Sequence, residues 1–355
     1  MRPVTSPTVS SGADLDEART RYVDALGRSS MRDAIRLVAG LAGSGVPLDR
    51  IVGEVLAPAQ VEVGRMWELG RWSVAQEHTA TGITEVALQT AVLSAGVRLP
   101  DDGGQPSMVL ACADGEWHSL SARMAADVLR AEGVDVTYVG ASLPSDSLAD
   151  FLAVQSPTAL GLSCSTAMTL VGARETINEA HAVGVPVVVA GSAFGSHGSR
   201  AEAIGADAWV AEPVAAVEVL QSWAAGPPAG FRAAVDPGTD EWETLAVAPS
   251  DWVDDVMARL NRRRPRLHSQ EPALEGRLRK EAAYLLRCAA GVQLTRDEGI
   301  LEEYTDWLRG VMTARKVPVD VVDDLYAGAV EALADRAPQA SAMLDRSRVL
   351  LRSRG

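Results

Sequence analysis

The chain has 355 residues, of which 47% are hydrophobic and 23% charged, a composition typical of a globular protein with room for two or three domains. Its formal net charge of −14 at pH 7 disfavours binding to nucleic acids and anionic membranes, because like charges repel. No apolar run reaches the ~20 residues that a membrane-spanning helix requires, so we expect no membrane partner. Three well-separated cysteines in apolar segments predict reduced thiols and a cytoplasmic protein: Cys112, Cys164 and Cys288.

Most of the first 97 residues have helical periodicity. Residues 1–12 lack it and are expected to form a disordered tail. From 13 to 97, apolar positions recur every three or four residues, which predicts a four-helix bundle with helices at 14–27, 30–43, 47–69 and 73–96. We expect Pro58 to kink the third helix, and Ser73 with Gln76 has the form of a capping box that opens the fourth.

After a linker rich in proline, glycine and aspartate, strand and helix patterns alternate from residue 106 to 226. The strands are continuous apolar runs with short connections, which is typical of a buried parallel sheet. We expect strands at 107–113, 134–140, 159–165, 186–191 and 207–211. Helices are expected at 119–131, 145–155, 169–183, 198–204 and 213–225. The alternation predicts a doubly wound, five-stranded parallel sheet of the flavodoxin-like type, which binds ligands at the carboxyl ends of its strands.

Residues 236–355 show helical periodicity only, with prolines between the periodic segments. The helices are expected at 249–263, 273–293, 297–315, 318–334 and 338–352. These segments predict a third, all-α domain, so the fold class is multidomain, α and α/β. The acidic and aromatic segment Asp240–Thr244 is a candidate for docking this domain on the sheet domain.

Three loops at the expected binding edge of the sheet contain residues suited to a site. The first, Asp114-Gly-Glu-Trp-His118, directly follows the first strand. A carboxylate two residues before a histidine can hold one ring nitrogen and leave the other free for a metal, so we interpret Glu116 as orienting His118. A hydrogen-bonded surface turn is the plainer alternative. The other two loops are rich in small and hydroxyl residues: Ser163–Thr166 and Ala190–Gly195.

The bundle, the doubly wound domain and the Glu-x-His after its first strand together resemble the cobalamin-binding modules of the methionine-synthase type. The resemblance implies that His118 is the lower axial ligand of cobalt and that the nucleotide tail of the cofactor enters the sheet. It also implies cofactor contacts from the loops around the site: Asp114, Glu116, Trp117, Ser163, Ser165, Thr166, Gly191, Ser192 and Gly195. Three residues depart from the family pattern of Gly, Leu and Gly and bear on the tail geometry: Ser121, Ser165 and Ala190.

Trp67, nine further residues and then Glu77-His78 resemble the Trp-x9-Glu-His signature of the light-sensing adenosylcobalamin repressors. The resemblance implies that the bundle caps the upper face of the corrin, with Trp67 on the adenosyl group and Glu77 and His78 in the same pocket. A core tryptophan followed by an acid in the first turn of a helix is the plainer interpretation. Glu68 stands where those repressors have a second histidine, which leaves the upper ligand after photolysis open.

The order of bundle, sheet domain and helical domain resembles the photocobilins, photoreceptors that pair cobalamin with biliverdin in a globin-like C-terminal domain. The resemblance implies a bilin pocket in the last domain. Candidate contacts are arginines for the propionates and aromatic side chains for the rings: Arg287, Arg309, Arg315, Tyr284, Tyr304 and Trp307. Cys288 is a candidate for covalent attachment, although a buried helical cysteine is more often a packing residue.

The sequence contains no recognisable catalytic constellation, whether Ser-His-Asp, paired carboxylates or zinc-spaced Cys and His. We therefore interpret the chain as a light sensor that is not an enzyme and that binds adenosylcobalamin and biliverdin. We expect a cytoplasmic homo-oligomer that signals through its assembly or a separate effector. The alternatives are a corrinoid carrier of a methyltransferase system and, less favoured, the small subunit of a coenzyme-dependent mutase.

Overall fold

A computed structural model describes residues 12–97, 105–267 and 271–353. A helical bundle, a five-stranded parallel sheet flanked by helices, and a second set of helices follow one another along the chain, so the predicted fold class is confirmed. The predicted tail lies outside the described residues except for Gly12. Within these ranges, no helix is both long and apolar enough to cross a lipid bilayer.

The bundle contains five α-helical segments and one π-helical turn. The α segments are α1 (Gly12–Gly27), α2 (Met31–Gly43), α3 (Leu48–Ile51), α4 (Ala57–Glu68) and α5 (Val74–Ser94). The π turn Val52–Leu56 divides the predicted third helix just before Pro58, where the proline ring removes a backbone donor. The capping box is confirmed, since the Ser73 N–H donates to Oε1 of Gln76 at 2.9 Å and the Gln76 N–H donates to Oγ of Ser73 at 3.3 Å.

The sheet has the strand order β2-β1-β3-β4-β5, with all neighbours parallel. Its strands are β1 (Ser107–Cys112), β2 (Asp135–Gly140), β3 (Ala159–Ser163), β4 (Val187–Ala190) and β5 (Ala208–Trp209). The helices are α6 (Ser119–Ala131), α7 (Ser145–Gln155), α8 (Leu170–Ala182), α9 (Ser199–Ala203) and α10 (Ala215–Ala225). Chain order therefore reverses between β1 and β3, which places a ligand crevice at their carboxyl ends.

The C-terminal region is helical, as predicted, and its described residues contain a helix that was not expected, α11. The helices are α11 (Glu241–Val247), α12 (Ser250–Arg263), α13 (Pro272–Thr295), α14 (Gly299–Ala314), α15 (Val319–Leu333) and α16 (Pro338–Ser353). The sequence analysis missed α11 because seven residues are too few to show a helical period. Its Glu241 carboxylate accepts hydrogen bonds from the Gln293 side chain at 2.9 Å and from the Ala340 amide at 3.0 Å. Helix α11 is thus fixed against α13 and α16.

Two hydrophobic cores join the three regions. The core of the bundle extends to Met124 and Val128 on α6, so the bundle packs on one side of the sheet domain. A second core runs from one face of the sheet through α8 into the C-terminal helices. Helix α13 approaches the loop after β3 so closely that a Cβ on Gly291 would lie 3.1 Å from the Ala167 carbonyl oxygen. The predicted domain boundaries remain predictions.

Candidate functional site

The site is built at the reversal of strand order. Cys112 at the end of β1 is in register with Ser163 at the end of β3, so the loops that follow these strands lie side by side. The loop after β2 supports them, since Oγ of Ser142 accepts a hydrogen bond from the Gly115 N–H at 3.1 Å and the Ser142 amide donates to the Glu116 carbonyl at 3.0 Å. The Asp114–His118 loop is therefore held from both sides.

Glu116 is a buried carboxylate, only 1% exposed, that connects the two loops. Its Oε1 lies 2.6 Å from Nδ1 of His118 and accepts the His118 backbone N–H at 2.9 Å. Its Oε2 accepts the backbone N–H groups of Ser165 at 2.7 Å and Thr166 at 3.2 Å. Because Nδ1 is engaged by Glu116 and the His118 side chain is 70% exposed, Nε2 is the nitrogen left for a ligand.

Electrostatics reinforce this geometry. Burial alone raises the pKa of Glu116, but hydrogen bonds from His118 and the Ser165 amide outweigh burial and hold that pKa below its usual range. The hydrogen bond to Glu116 raises the pKa of His118, and the charges of Glu116 and Glu77 add to this effect. The carboxylate therefore stays ionised and orients the imidazole, as the sequence analysis predicts.

The other predicted contacts of the sheet domain cluster around this pair. Trp117 is 74% exposed beside His118, and Asp114 is half-buried. The loops after β3 and β4 contact each other, with Oγ of Ser192 donating to the Ser165 carbonyl at 2.7 Å. A Cβ on Gly191 would lie 2.2 Å from the Cys164 carbonyl oxygen, so this position, at φ +120°, requires glycine. Ser163 is buried at the end of β3, and Gly195 has φ +74° at the end of the second loop.

The predicted pair in the bundle is arranged differently. Glu77 and His78 lie in the first turn of α5, where the Glu77 carboxylate contacts Nδ1 of its neighbour and accepts a hydrogen bond from the Thr81 hydroxyl at 3.2 Å. His78 is 74% exposed. The charge of Glu77 contributes to the raised pKa of His118, so the bundle brings this carboxylate within electrostatic reach of the sheet site.

Trp67, at the end of α4, is held by the C-terminal helices. Its ring stacks against Trp307, with ring centroids 6.3 Å apart and an interplanar angle of 27°. The guanidinium of Arg315 lies 4.8 Å from the Trp67 ring centroid and donates to the carbonyls of Trp67 at 3.3 Å and Glu68 at 3.2 Å. The residue predicted to cover the upper face thus connects the bundle to α14.

The predicted bilin contacts lie on helices α13 and α14 and, for Arg315, directly after α14. Tyr304 packs against Trp307 at 5.7 Å between centroids, and its hydroxyl donates to the buried Glu281 carboxylate at 2.6 Å. Arg287 instead donates to the Ala246 carbonyl at 3.3 Å, in α11. The remaining candidates lie on α13 and α14: Tyr284 is half-buried at the edge of the core, Cys288 is buried, and Arg309 lies 3.9 Å from Asp306. Trp307 and Arg315 contact Trp67 directly, and Tyr304 packs against Trp307.

The sequence analysis missed several supporting residues. Thr169 lies between the Cys164 thiol, at 2.9 Å, and Oε2 of Glu116, at 3.5 Å. Arg200, only 4% exposed, bonds to Asp297 at 2.6 Å and to Glu303 at 2.7 Å, which ties the sheet domain to α14 and the turn before it. Sequence spacing carries no signal for these contacts, because the partners are distant in the chain.

The residues of the site fit a corrinoid cofactor, because His118 presents one free imidazole nitrogen at the crevice, beside loops of glycine and hydroxyl residues that would hold the group. Comparison with known families agrees. Residues 18–91 match one B12-binding domain model, and residues 106–220 match a second, also described as a B12-binding domain. The chain therefore contains a cobalamin-binding module.

One curated protein and one solved structure are similar to this chain. The HTH-type transcriptional repressor CarH of Myxococcus xanthus is 33% identical over 147 residues, which cover 41% of this chain and 48% of the repressor. The matched region thus spans about half the length of that relative. The monomethylamine corrinoid protein of Methanosarcina barkeri superposes with a TM-score of 0.50 at 17% identity, covering 58% of this chain and 98% of that one, and shows likeness of fold only.

Proposed function

We propose that the chain is a photoreceptor, not an enzyme, that binds adenosylcobalamin through Nε2 of His118. The observation that carries the proposal is the buried Glu116 carboxylate, which fixes Nδ1 of His118 and leaves the opposite nitrogen at the sheet crevice. When bound, the cofactor supplies a cobalt–carbon bond that visible light breaks. The protein supplies the ligand, its orientation and a lid above it.

The lid is the helical bundle. It packs on α6 through the bundle core, and Glu77 lies within electrostatic reach of His118. Trp67 contacts Trp307 and Arg315, which belong to the C-terminal region. A change in the packing of Trp67 would therefore act on α14 directly, and this is the route by which we infer that the C-terminal helices respond to light.

The second chromophore of the proposal is biliverdin, in a globin-like C-terminal domain. Support comes from the helical architecture of residues 241–353 and from the aromatic pair Tyr304 and Trp307 beside Arg315. We further propose a cytoplasmic homo-oligomer with neither nucleic-acid nor membrane partners, in keeping with the net charge of −14.

The test is an absorbance spectrum of the full chain, purified in darkness with adenosylcobalamin and exposed to green light. We expect a change of the corrin bands on illumination, and an unchanged spectrum would overturn the proposal. His118→Ala should lose the dark spectrum of the ligated state. His181→Ala is the matched control, because His181 bonds to Asp207 at 2.8 Å beside the amino end of β4, at the opposite edge of the sheet.

The alternative is a corrinoid carrier that serves a methyltransferase. A carrier must offer its upper face to a partner enzyme, whereas here Trp67 is engaged by the C-terminal helices. Methyl transfer from a methyl donor, after reductive activation and without a light response, would favour the carrier.

A further inference from the structure

An open cavity of about 870 Å³ lies among the C-terminal helices, where the ends of α12 and α14 meet the beginnings of α13 and α15. Its volume is within the range of roughly 300–1,000 Å³ that is usual for small-molecule sites. Six cationic side chains line it: Arg263, Arg264, Arg266, Arg277, Arg315 and Lys316. Among the described residues that line it, two are acidic, Glu271 and Asp324, so cations outnumber carboxylates in this wall although the chain has a net charge of −14.

Some of these cations already have carboxylate partners. Arg264 bonds to Asp320 at 2.6 Å and to Asp324 at 2.7 Å, and Arg263 pairs with Glu331. These pairs build the wall of the cavity and leave little charge for a ligand. The ligand-facing charge must therefore come from the other cations.

Arg277, Lys316 and Arg315 provide that charge. Within the part of the chain that the structure describes, neither Arg277 nor Lys316 has a carboxylate at ion-pair distance. Arg315 donates to the carbonyls of Val311 and Glu68, at 3.0 and 3.2 Å, and not to a carboxylate. Burial lowers the pKa of Arg315, the charge of Arg277 lowers it further, and the charge of Glu281 opposes both effects, so the two arginines lie within electrostatic reach of each other.

We propose that this cavity binds a small molecule with at least two oxyanionic groups, carboxylates or phosphates, and that Arg277 and Arg315 recognise them. A guanidinium offers paired N–H donors that match either group, and an anion between the two arginines would relieve their repulsion. The apolar part of such a ligand would meet Leu267, Leu274 and Val317 in the same wall.

The cavity also communicates with the bundle. Arg315 lines the cavity, and its guanidinium lies 4.8 Å from the Trp67 ring centroid. An anion bound to Arg315 would reduce the positive charge above that ring and so change the environment of the indole. Occupancy of the cavity should therefore be detectable at Trp67, on a different domain.

The first experiment is isothermal titration of the cobalamin-free full chain with inorganic pyrophosphate. We expect binding that weakens by ~10-fold or more in Arg277→Gln and in Arg315→Gln, because each removes a charge-assisted contact. Arg346→Gln is the matched control, since Arg346 pairs with Glu298 on another surface and should bind as the wild type does. In a ¹⁵N–¹H spectrum, the Trp67 indole signal, identified with Trp67→Phe, should shift on titration in the wild type and not in Arg315→Gln.

The second experiment distinguishes the source of the oxyanions, with biliverdin and its dimethyl ester as probes. Binding of biliverdin but not of the ester, lost in Arg277→Gln, identifies the carboxylates of a tetrapyrrole; binding of pyrophosphate alone identifies a phosphate ligand. Only the biliverdin arm rests on the proposed function, and neither arm requires cobalamin, so a failed light response leaves this inference standing. The inference is overturned when neither pyrophosphate nor biliverdin binds. It is also overturned when Arg277→Gln, Arg315→Gln and Arg346→Gln bind the ligand equally well.

Discussion

Two Glu–His pairs, one on the sheet domain and one on the bundle, lie within electrostatic reach of each other and are held in different ways. The Glu116 side chain is 1% exposed and accepts backbone amides from two loops, whereas the Glu77 side chain is 29% exposed and accepts one side-chain hydroxyl. Both histidines are exposed, at 70% for His118 and 74% for His78. The difference therefore lies in the carboxylates.

The buried Glu116 carboxylate is held by several donors from two loops, which fixes its conformation and thereby the orientation of the histidine it bonds. An exposed pair of neighbouring side chains exchanges its partners with water at little cost, because exposed ion pairs contribute about 0–1 kcal/mol. The sheet pair thus holds its histidine in one orientation, whereas the histidine of the bundle pair can change its partner.

The largest expected effect is that of His118→Ala. It removes the only imidazole that Glu116 orients, and we expect affinity for adenosylcobalamin to fall by more than ~100-fold, since even a supporting group is typically worth 10–100-fold. A spectrophotometric titration in darkness measures this. Retention of wild-type affinity and spectrum would show that the two pairs do not differ as described.

Glu116→Gln should come next. The amide keeps the shape but loses the charge that orients His118, so we expect a ~10–100-fold loss of cobalamin affinity with the cofactor still bound. The same titration measures it. Glu77→Gln is the matched control on the bundle pair, and an equal loss there would remove the distinction between the pairs.

The stability of the cobalamin-free protein should show the same contrast as a function of pH. The lowered pKa of Glu116 means that its contribution to folding is present above the ordinary carboxyl pKa and is lost as pH falls through the folded value. The raised pKa of His118 means that its contribution is present below the ordinary imidazole pKa and is lost as pH rises through the folded value.

Glu116→Gln should therefore destabilise most between the ordinary carboxyl and imidazole pKa values, where both members of the pair are charged. Three backbone N–H groups, those of His118, Ser165 and Thr166, lose their charged acceptor as well, and we expect a loss of about 1–3 kcal/mol in the free energy of unfolding. Urea unfolding at several pH values measures the profile. A difference between variant and wild type that stays the same from below the folded carboxyl pKa to above the folded imidazole pKa would contradict the electrostatic account.

Trp67→Ala tests the connection between the bundle and the C-terminal helices. Loss of the contacts with Trp307 and Arg315 should reduce the free energy of unfolding by about 1–2 kcal/mol. Ligation by His118 should persist while the light-induced spectral change is altered. Trp117→Ala serves as the comparison, because Trp117 is an exposed tryptophan of the sheet domain, and an identical phenotype would argue against a special role for Trp67.

His78→Ala should have the smallest effect. The side chain is exposed, so we expect a change in stability within about 0.5 kcal/mol. A loss of dark cobalamin affinity comparable to that of His118→Ala would mean that the bundle pair, too, is a fixed ligand site.

The helices and strands of this chain were predictable because their signals are local. Among the described residues, apolar periodicity located the helical segments of the bundle, the five strands and the C-terminal helices α12 to α16. It failed for α11, whose seven residues span only two turns. The buried helix–strand alternation also predicted the parallel sheet, and hence the edge at which Glu116 and His118 lie.

The sequence alone determined the Glu116–His118 pair and its place after β1, because two residues of separation suffice for a carboxylate to reach a ring nitrogen. Only the tertiary structure decided which residues hold that pair and which residues hold Trp67. The Ser165 amide that binds Glu116 is 49 residues away, and Arg315, which binds the Trp67 carbonyl, is 248 residues away. Such contacts depend on how packed elements meet in space, and no local pattern of residues records that geometry.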